Sequence, residues 1–169
     1  MRTAVCSGSF DPITLGHLDI IRRAAACFDQ VWVCVSPNAE KRSQMFTPEQ
    51  KLLLVRTAVA ELPNVKADLW PGLLADFAVD HGARVIIRGV RGTADFDAEY
   101  QMASINRGIH PQLETLMLPA SAPYQHFSSS MVREMIRYRQ PLEQYLPAPV
   151  VPLVREIMSE KECELYGKQ

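Results

Sequence analysis

Short apolar, β-branched runs alternate with stretches of helical spacing along the whole of this 169-residue chain. Residues 2–6, 31–36 (Val-Trp-Val-Cys-Val-Ser), 65–69 and 85–88 read as strands, and 116–118 as a weaker fifth. They are nearly continuous in apolar character, the mark of strands buried on both faces of a parallel sheet. Between them, 17–28 sets Leu18, Ile21, Ala25 and Phe28 on one helical face. Thr47-Pro48-Glu49-Gln50 opens the next helix, with Thr47 as N-cap, Pro48 in the first turn and Gln50 completing a capping box. Leu52, Val55, Val59 and Leu62 are then its expected buried stripe. Further helices are predicted over 73–81, 95–107, 130–139 and 149–161. Pro141, Pro147, Pro149 and Pro152 predict a tail broken into short pieces.

Strands alternating with helices make right-handed βαβ units. The expected architecture is α/β: a Rossmann-like, doubly wound, five-stranded parallel sheet with helices on both faces. It forms one domain over 1–169, with a helical tail from about 141. Ligands of such sheets bind beyond the carboxyl ends of the strands, so the residues that fall there carry the functional reading.

Composition narrows the classes. Lys plus Arg is 18 against 19 Asp plus Glu, a formal charge of −1. A protein that wraps nucleic acid would show a basic excess, whereas a small anionic ligand needs only a local cluster of cations. No apolar run approaches the ~18 residues of a membrane span, and the first residues lack the apolar stretch of a signal peptide. Cys6, Cys27, Cys34 and Cys163 form no C-x-x-C pair and no zinc spacing. A reduced, cytoplasmic protein with no nucleic-acid or membrane partner is expected.

Four segments follow strand ends or open helices. Gly8-Ser9-Phe10-Asp11-Pro12 follows the first strand, and His17 falls at the next helix start, where free N–H groups favour anions. Lys41 and Arg42 follow the second strand. Arg88-Gly89-Val90-Arg91 ends the fourth, and two guanidinium groups at a crevice call for an anion. Phosphate is the expected anion there, with ion pairs to Asp95, Asp97 or Glu99 as the bland alternative. Ser128, Ser129 and Ser130 open a helix as a further cradle. Each segment alone has a structural reading, as a turn, a cap or solvated charge. Their convergence on one rim points to polyphosphate.

The run Gly8-Ser9-Phe10-Asp11-Pro12-Ile13-Thr14-Leu15-Gly16-His17 resembles the opening of the nucleotidylyltransferases, G-[ST]-F-D-P-x-[HT]-x-G-H. Thr14, Arg88-Gly89-Val90-Arg91, Asp95-Phe96 with Glu99, Asn106-Arg107 and Ser128-Ser129-Ser130-Met131-Val132-Arg133-Glu134 are similar, in order, to motifs of the phosphopantetheine adenylyltransferase family. The similarity spans about 1–147. It implies adenylyl transfer from ATP to 4′-phosphopantetheine, with Mg2+ as cofactor, a homohexamer, and feedback by coenzyme A. It also implies roles. Ser9, Lys41 (or its neighbour Arg42) and Arg88 would meet the acceptor phosphate, and Leu73 and Leu74 the pantetheine arm. Ser9, Phe10, Gly89, Arg91, Glu99, Ser128, Ser129 and Ser130 would meet ATP. His17 would sit at the reacting phosphorus as transition-state stabiliser, and Lys41 and Arg91 would count with it as catalytic. Ser7 stands where the family often has Pro, and Ala98 where it commonly has Tyr. The rival readings are another small-molecule nucleotidylyltransferase, such as one acting on nicotinamide mononucleotide, and a non-catalytic nucleotide sensor.

Overall fold

A computed structural model of the chain describes residues 1–37 and 44–166. Five strands, β1 (Thr3–Gly8), β2 (Gln30–Val35), β3 (Val65–Leu69), β4 (Val85–Val90) and β5 (Glu114–Pro119), form one all-parallel sheet in the order β3-β2-β1-β4-β5. The helices are α1 (Leu15–Cys27), α2 (Pro48–Val59), α3 (Leu74–Asp80), α4 (Thr93–Ile109), α5 (Ser129–Arg137) and α6 (Val150–Tyr166), with a short 3-10 turn at Ala122–Tyr124. The expected doubly wound architecture is present.

Two apolar layers sandwich the sheet. On one side α1, α2, α5 and α6 pack on Ala4, Val31, Val33 and Ile87; on the other, Ala75, Phe77 and Ala78 of α3 meet Val5, Cys34 and Ile86. Burial of this kind stabilises by roughly 25 cal/mol per Å² of apolar surface. The thiols of Cys6 and Cys34 lie in these layers, where burial pushes each pKa up to about 12, so both are inert as nucleophiles.

Chain reversal at the sheet centre positions the site. Strand order runs outward from β1 in one direction to β3 and in the other through β4, so β1 and β4 are neighbours whose connections leave on opposite faces. A crevice opens at their carboxyl ends. Gly89 permits this closeness: a Cβ there would lie 2.9 Å from Cγ1 of Ile20 on α1.

The helix starts follow local chemistry. Thr47 caps α2, and Gln50 returns a bond to the Thr47 N–H, as its capping box predicts. The buried stripe of α2 differs from expectation: Lys51, Leu54, Val55, Ala58 and Val59 are buried, while Leu52 and Leu62 are half-buried. The face turns because Lys51 points inward and bonds Gln44 Oε1 at 2.7 Å. The tail also differs. Pro152 does not break it but sits in the first turn of α6, where no intrahelical N–H is required, and α6 runs on to pack against α2.

Candidate active site

The crevice holds a cavity of about 320 Å³ lined by Ser9, Phe10, His17, Gly89, Arg88, Arg91, Glu99 and all three serines at the start of α5. A second cavity of about 240 Å³ adjoins it, between the sheet, α3 and α4, lined by Leu74, Met102, Ala103, Asn106 and Thr115. Ser7, Gly8, Ser9, Arg88 and Glu99 line both. Leu74 thus faces the second cavity, while Leu73, the residue before α3, is 56% exposed and lines neither. Lys41 and Arg42 lie outside the described residues.

The turn after β1 is shaped by one ring. Phe10 adopts a left-handed backbone (φ 43°) and is buried. Its ring covers Gly8, where a Cβ would stand 3.0 Å from Cζ, and meets His17 edge-on at 5.1 Å. Asp11, buried, ties the rim together: its carboxylate accepts from the Met45 and Phe46 N–H groups at 3.1 and 2.9 Å and pairs with Arg133 at 3.4 Å. Arg133 also donates to the Asp11 carbonyl and to Ser130 Oγ.

His17 is oriented and its tautomer fixed by the cap of its own helix. The Thr14 N–H donates to His17 Nδ1 at 3.0 Å, and the His17 N–H donates to Thr14 Oγ1 at 3.3 Å. A neutral imidazole whose Nδ1 accepts carries its proton on Nε2. Burial first, then the charges of Arg91 and Arg88, lower its pKa to about 4. His17 is therefore a neutral Nε2–H donor at the crevice wall.

Both strand-end arginines carry carboxylate partners, as the bland alternative foresaw. Arg88 grips Glu99 with two bonds, Nε to Oε2 at 2.6 Å and Nη2 to Oε1 at 2.5 Å, and its Nη1 donates to the Ser7 carbonyl and hydroxyl. The hydroxyl bond gives the Ser7 departure a purpose that a proline side chain could not serve. Arg91 holds Asp95 through Nε at 2.7 Å and Nη2 at 3.1 Å, and donates to the Phe127 carbonyl. The Arg91 hydrogen bond holds the Asp95 carboxyl below its usual range. Asp97 is exposed, as is Ala98.

The serines divide their work. Ser128 caps α5 through the Met131 N–H at 3.1 Å, Ser129 donates to the Pro12 carbonyl at 3.0 Å, and Ser130 accepts from Arg133. Tyr124 and Phe127, which sequence reasoning passed over, close the outer wall. They come from an irregular segment where periodicity gives no signal. Asp11 and Arg133 stood inside quoted motifs, but their mutual contact spans 122 residues and could not be read locally.

Comparison with known proteins agrees with this arrangement. The cytidylyltransferase-like family model matches residues 5–135. The chain is 46% identical to phosphopantetheine adenylyltransferase of Symbiobacterium thermophilum over 156 residues, covering 92% of this chain and 96% of that protein. It is 40% identical to phosphopantetheine adenylyltransferase of Rubrobacter xylanophilus over 165 residues, covering 98% and 100%. The chain belongs to the phosphopantetheine adenylyltransferase family. The residues matched by the family model include all or part of every strand and the residues that line the two cavities. A putative nicotinate-nucleotide adenylyltransferase from Vibrio parahaemolyticus superposes with a TM-score of 0.69 at 18% identity, covering 92% of this chain and 93% of that one, a likeness of fold.

Proposed function

We propose that this protein transfers the adenylyl group of ATP to 4′-phosphopantetheine, giving dephospho-coenzyme A and pyrophosphate. One observation carries the reading: two cavities of different character meet at Arg88. The first is ringed by Arg91, Arg133 and hydroxyls and suits a nucleotide triphosphate. The second is lined by Leu74, Met102 and Ala103, with Asn106 as the one side-chain amide in its wall. A cavity with apolar walls and one amide suits a ligand that has apolar stretches and amides of its own. The amide-bearing arm of pantetheine is such a ligand.

The chemistry needs charge control and alignment. An acceptor phosphate oxygen attacks the α-phosphorus; that P–O bond forms as the bond to the bridging β-oxygen breaks, and pyrophosphate leaves with the electron pair. The acceptor's second pKa is near ~6, so the nucleophile is already ionised at neutral pH. Pyrophosphate is a stable leaving anion, so no strong general acid is required. Arg88 holds the incoming phosphate, with Lys41 in the same role by family pattern. Arg91 meets the leaving phosphates, and His17 Nε2–H donates to the α-phosphate oxygens as negative charge gathers there.

A Mg2+ ion bound with ATP would be held largely by triphosphate oxygens and water, as small hard cations often are, and would supply charge neutralisation for the leaving group. Coenzyme A carries both an adenylate and a pantetheine arm and would span both cavities, which supports feedback at this site. On α4 Phe96, Tyr100, Met102, Ile105 and Ile109 are exposed, as is Leu116 of β5, and apolar side chains left open in this number support a homohexameric assembly. Four free thiols, two buried and two exposed, suit a reduced, cytoplasmic setting, and among the described residues no helix is long and apolar enough to cross a membrane.

The test is product identity. ATP, 4′-phosphopantetheine and Mg2+ incubated with the protein should yield dephospho-coenzyme A by chromatography and mass. Adenylylation of nicotinamide mononucleotide in its place would overturn the assignment.

A further inference from the structure

A guanidinium has five N–H donors, and Arg88 has committed four of them. Two go to the carboxylate of Glu99 and two to the carbonyl and hydroxyl of Ser7. One N–H on Nη2 is left. A phosphate arriving at Arg88 could gain a single hydrogen bond from it and would stand beside a carboxylate of like charge. Two-point recognition of a phosphate requires one of these partners to release the guanidinium, and Glu99 is the only one of them that also repels the phosphate by like charge.

We propose that Glu99 is an internal competitor for Arg88, an anion of the protein itself that the acceptor phosphate must displace. The inference rests on the reading of Arg88 as the acceptor-phosphate residue. Three observations set Glu99 apart from the other carboxylates at the crevice. Asp11, paired with Arg133, is fixed by two backbone N–H bonds as well and is not free to leave. Asp95 also accepts from the Arg91 N–H at 3.2 Å, and Arg91 keeps two uncommitted donors. Among the described residues Glu99 bonds only Arg88, and it lines both cavities, at the place where the two substrates would meet.

The exchange has a defined consequence. While the site is empty, the pair keeps Arg88 oriented and neutralised, at side-chain exposures of 25% and 16%, and hydrogen bonds to a charged group in such a place are worth more than neutral ones. Every anion that docks on Arg88 forfeits those bonds. Glu99 thus holds affinity for phosphate down, for the acceptor and for inorganic phosphate alike. A carboxylate that merely positioned Arg88 would do the opposite, since its removal would disorder the guanidinium and weaken anion binding. The two roles differ in sign.

The experiment is titration calorimetry with inorganic phosphate at fixed pH and ionic strength on the wild-type protein, Glu99→Gln, Glu99→Ala, Arg88→Ala and the Arg88→Ala/Glu99→Gln double variant, each first checked for a wild-type-like melting transition. The expected result is phosphate binding about tenfold tighter in both Glu99 variants, with no such gain when Arg88 is already Ala. Weaker or unchanged binding in Glu99→Gln and Glu99→Ala would overturn the proposal, as would a gain that persists without Arg88, or no detectable phosphate binding in any form. Because the probe is inorganic phosphate, a failure here leaves the product assay of the previous section standing, and a failure there leaves this measurement interpretable.

Discussion

His17 shows how a single side chain is prepared by its surroundings. The Thr14 N–H takes Nδ1, burial and two arginines keep the ring neutral, and Nε2–H remains for the substrate. One donor aimed at developing charge is typically worth ~3–4 kcal/mol, or ~10²–10³ in rate. His17→Ala should therefore lower kcat by about that factor with little change in ATP binding, read by steady-state kinetics and calorimetry; unchanged turnover would remove His17 from the mechanism. The lowered pKa also has a stability consequence. The folded value of about 4 lies below the ordinary 6.5, so below 6.5 the unfolded chain takes up a proton that the folded one refuses. The contribution of His17 is whole above pH 6.5 and is lost as pH falls towards 4. Histidine titration by NMR should find the ring neutral at pH 5.5; a protonated ring there would contradict it. Arg88→Ala should raise the KM for the acceptor more than that for ATP, and an equal rise would count against its assignment. The identities of these residues were legible in the sequence through their positions after strands and before helices. The partners were not: Glu99 for Arg88 and Arg133 for Asp11 are tertiary facts, and the pKa of His17 depends on both arginines being folded against it.

At the scale of elements, β1 and β4 do most to create the site, and α1 spans them. Gly89 lets α1 lie close to β4. Gly89→Ala would drive a methyl group into Ile20, an overpacking that typically costs ~1–3 kcal/mol. Urea denaturation should show that loss; a variant as stable as the wild type would mean the helix can retreat without penalty. The strands, their order of occurrence and the cap at Thr47 were readable, because propensity, apolar runs and capping patterns all act within a few residues. The face of α2 was readable in part: Val55 and Val59 are buried and Leu52 and Leu62 pack on the core as expected, while the burial of Lys51, which bonds Gln44, gave no apolar signal. Proline spacing misled about the tail, since Pro152 lies where a helix tolerates it.

For the whole molecule, a chain with balanced charge builds an anion site from internally compensated pairs rather than from a net positive field. Each arginine at the crevice, Arg88, Arg91 and Arg133, faces a carboxylate of its own. The same economy leaves α4 with two sides: Asp95 and Glu99 towards the cavities, Phe96 and Tyr100 stacked at 6.3 Å in the open. Apolar side chains exposed in this number suit a partner, and the proposed symmetric assembly of identical chains would supply one. Ile105→Glu should shift the species seen by light scattering from a hexamer to smaller forms; a wild-type monomer would contradict the assembly. The sheet and its crevice were foreseeable from the alternation of runs and helices, whereas the exposure of α4 was not, since periodicity cannot tell a core face from a contact face. What joins these levels is the proposed meeting of two substrates at Arg88. Its most direct test is continuous measurement of pyrophosphate release from ATP and Mg2+, before and after 4′-phosphopantetheine is added. Steady release that starts only with the acceptor is the predicted result; release without it, or none with it, would contradict the account.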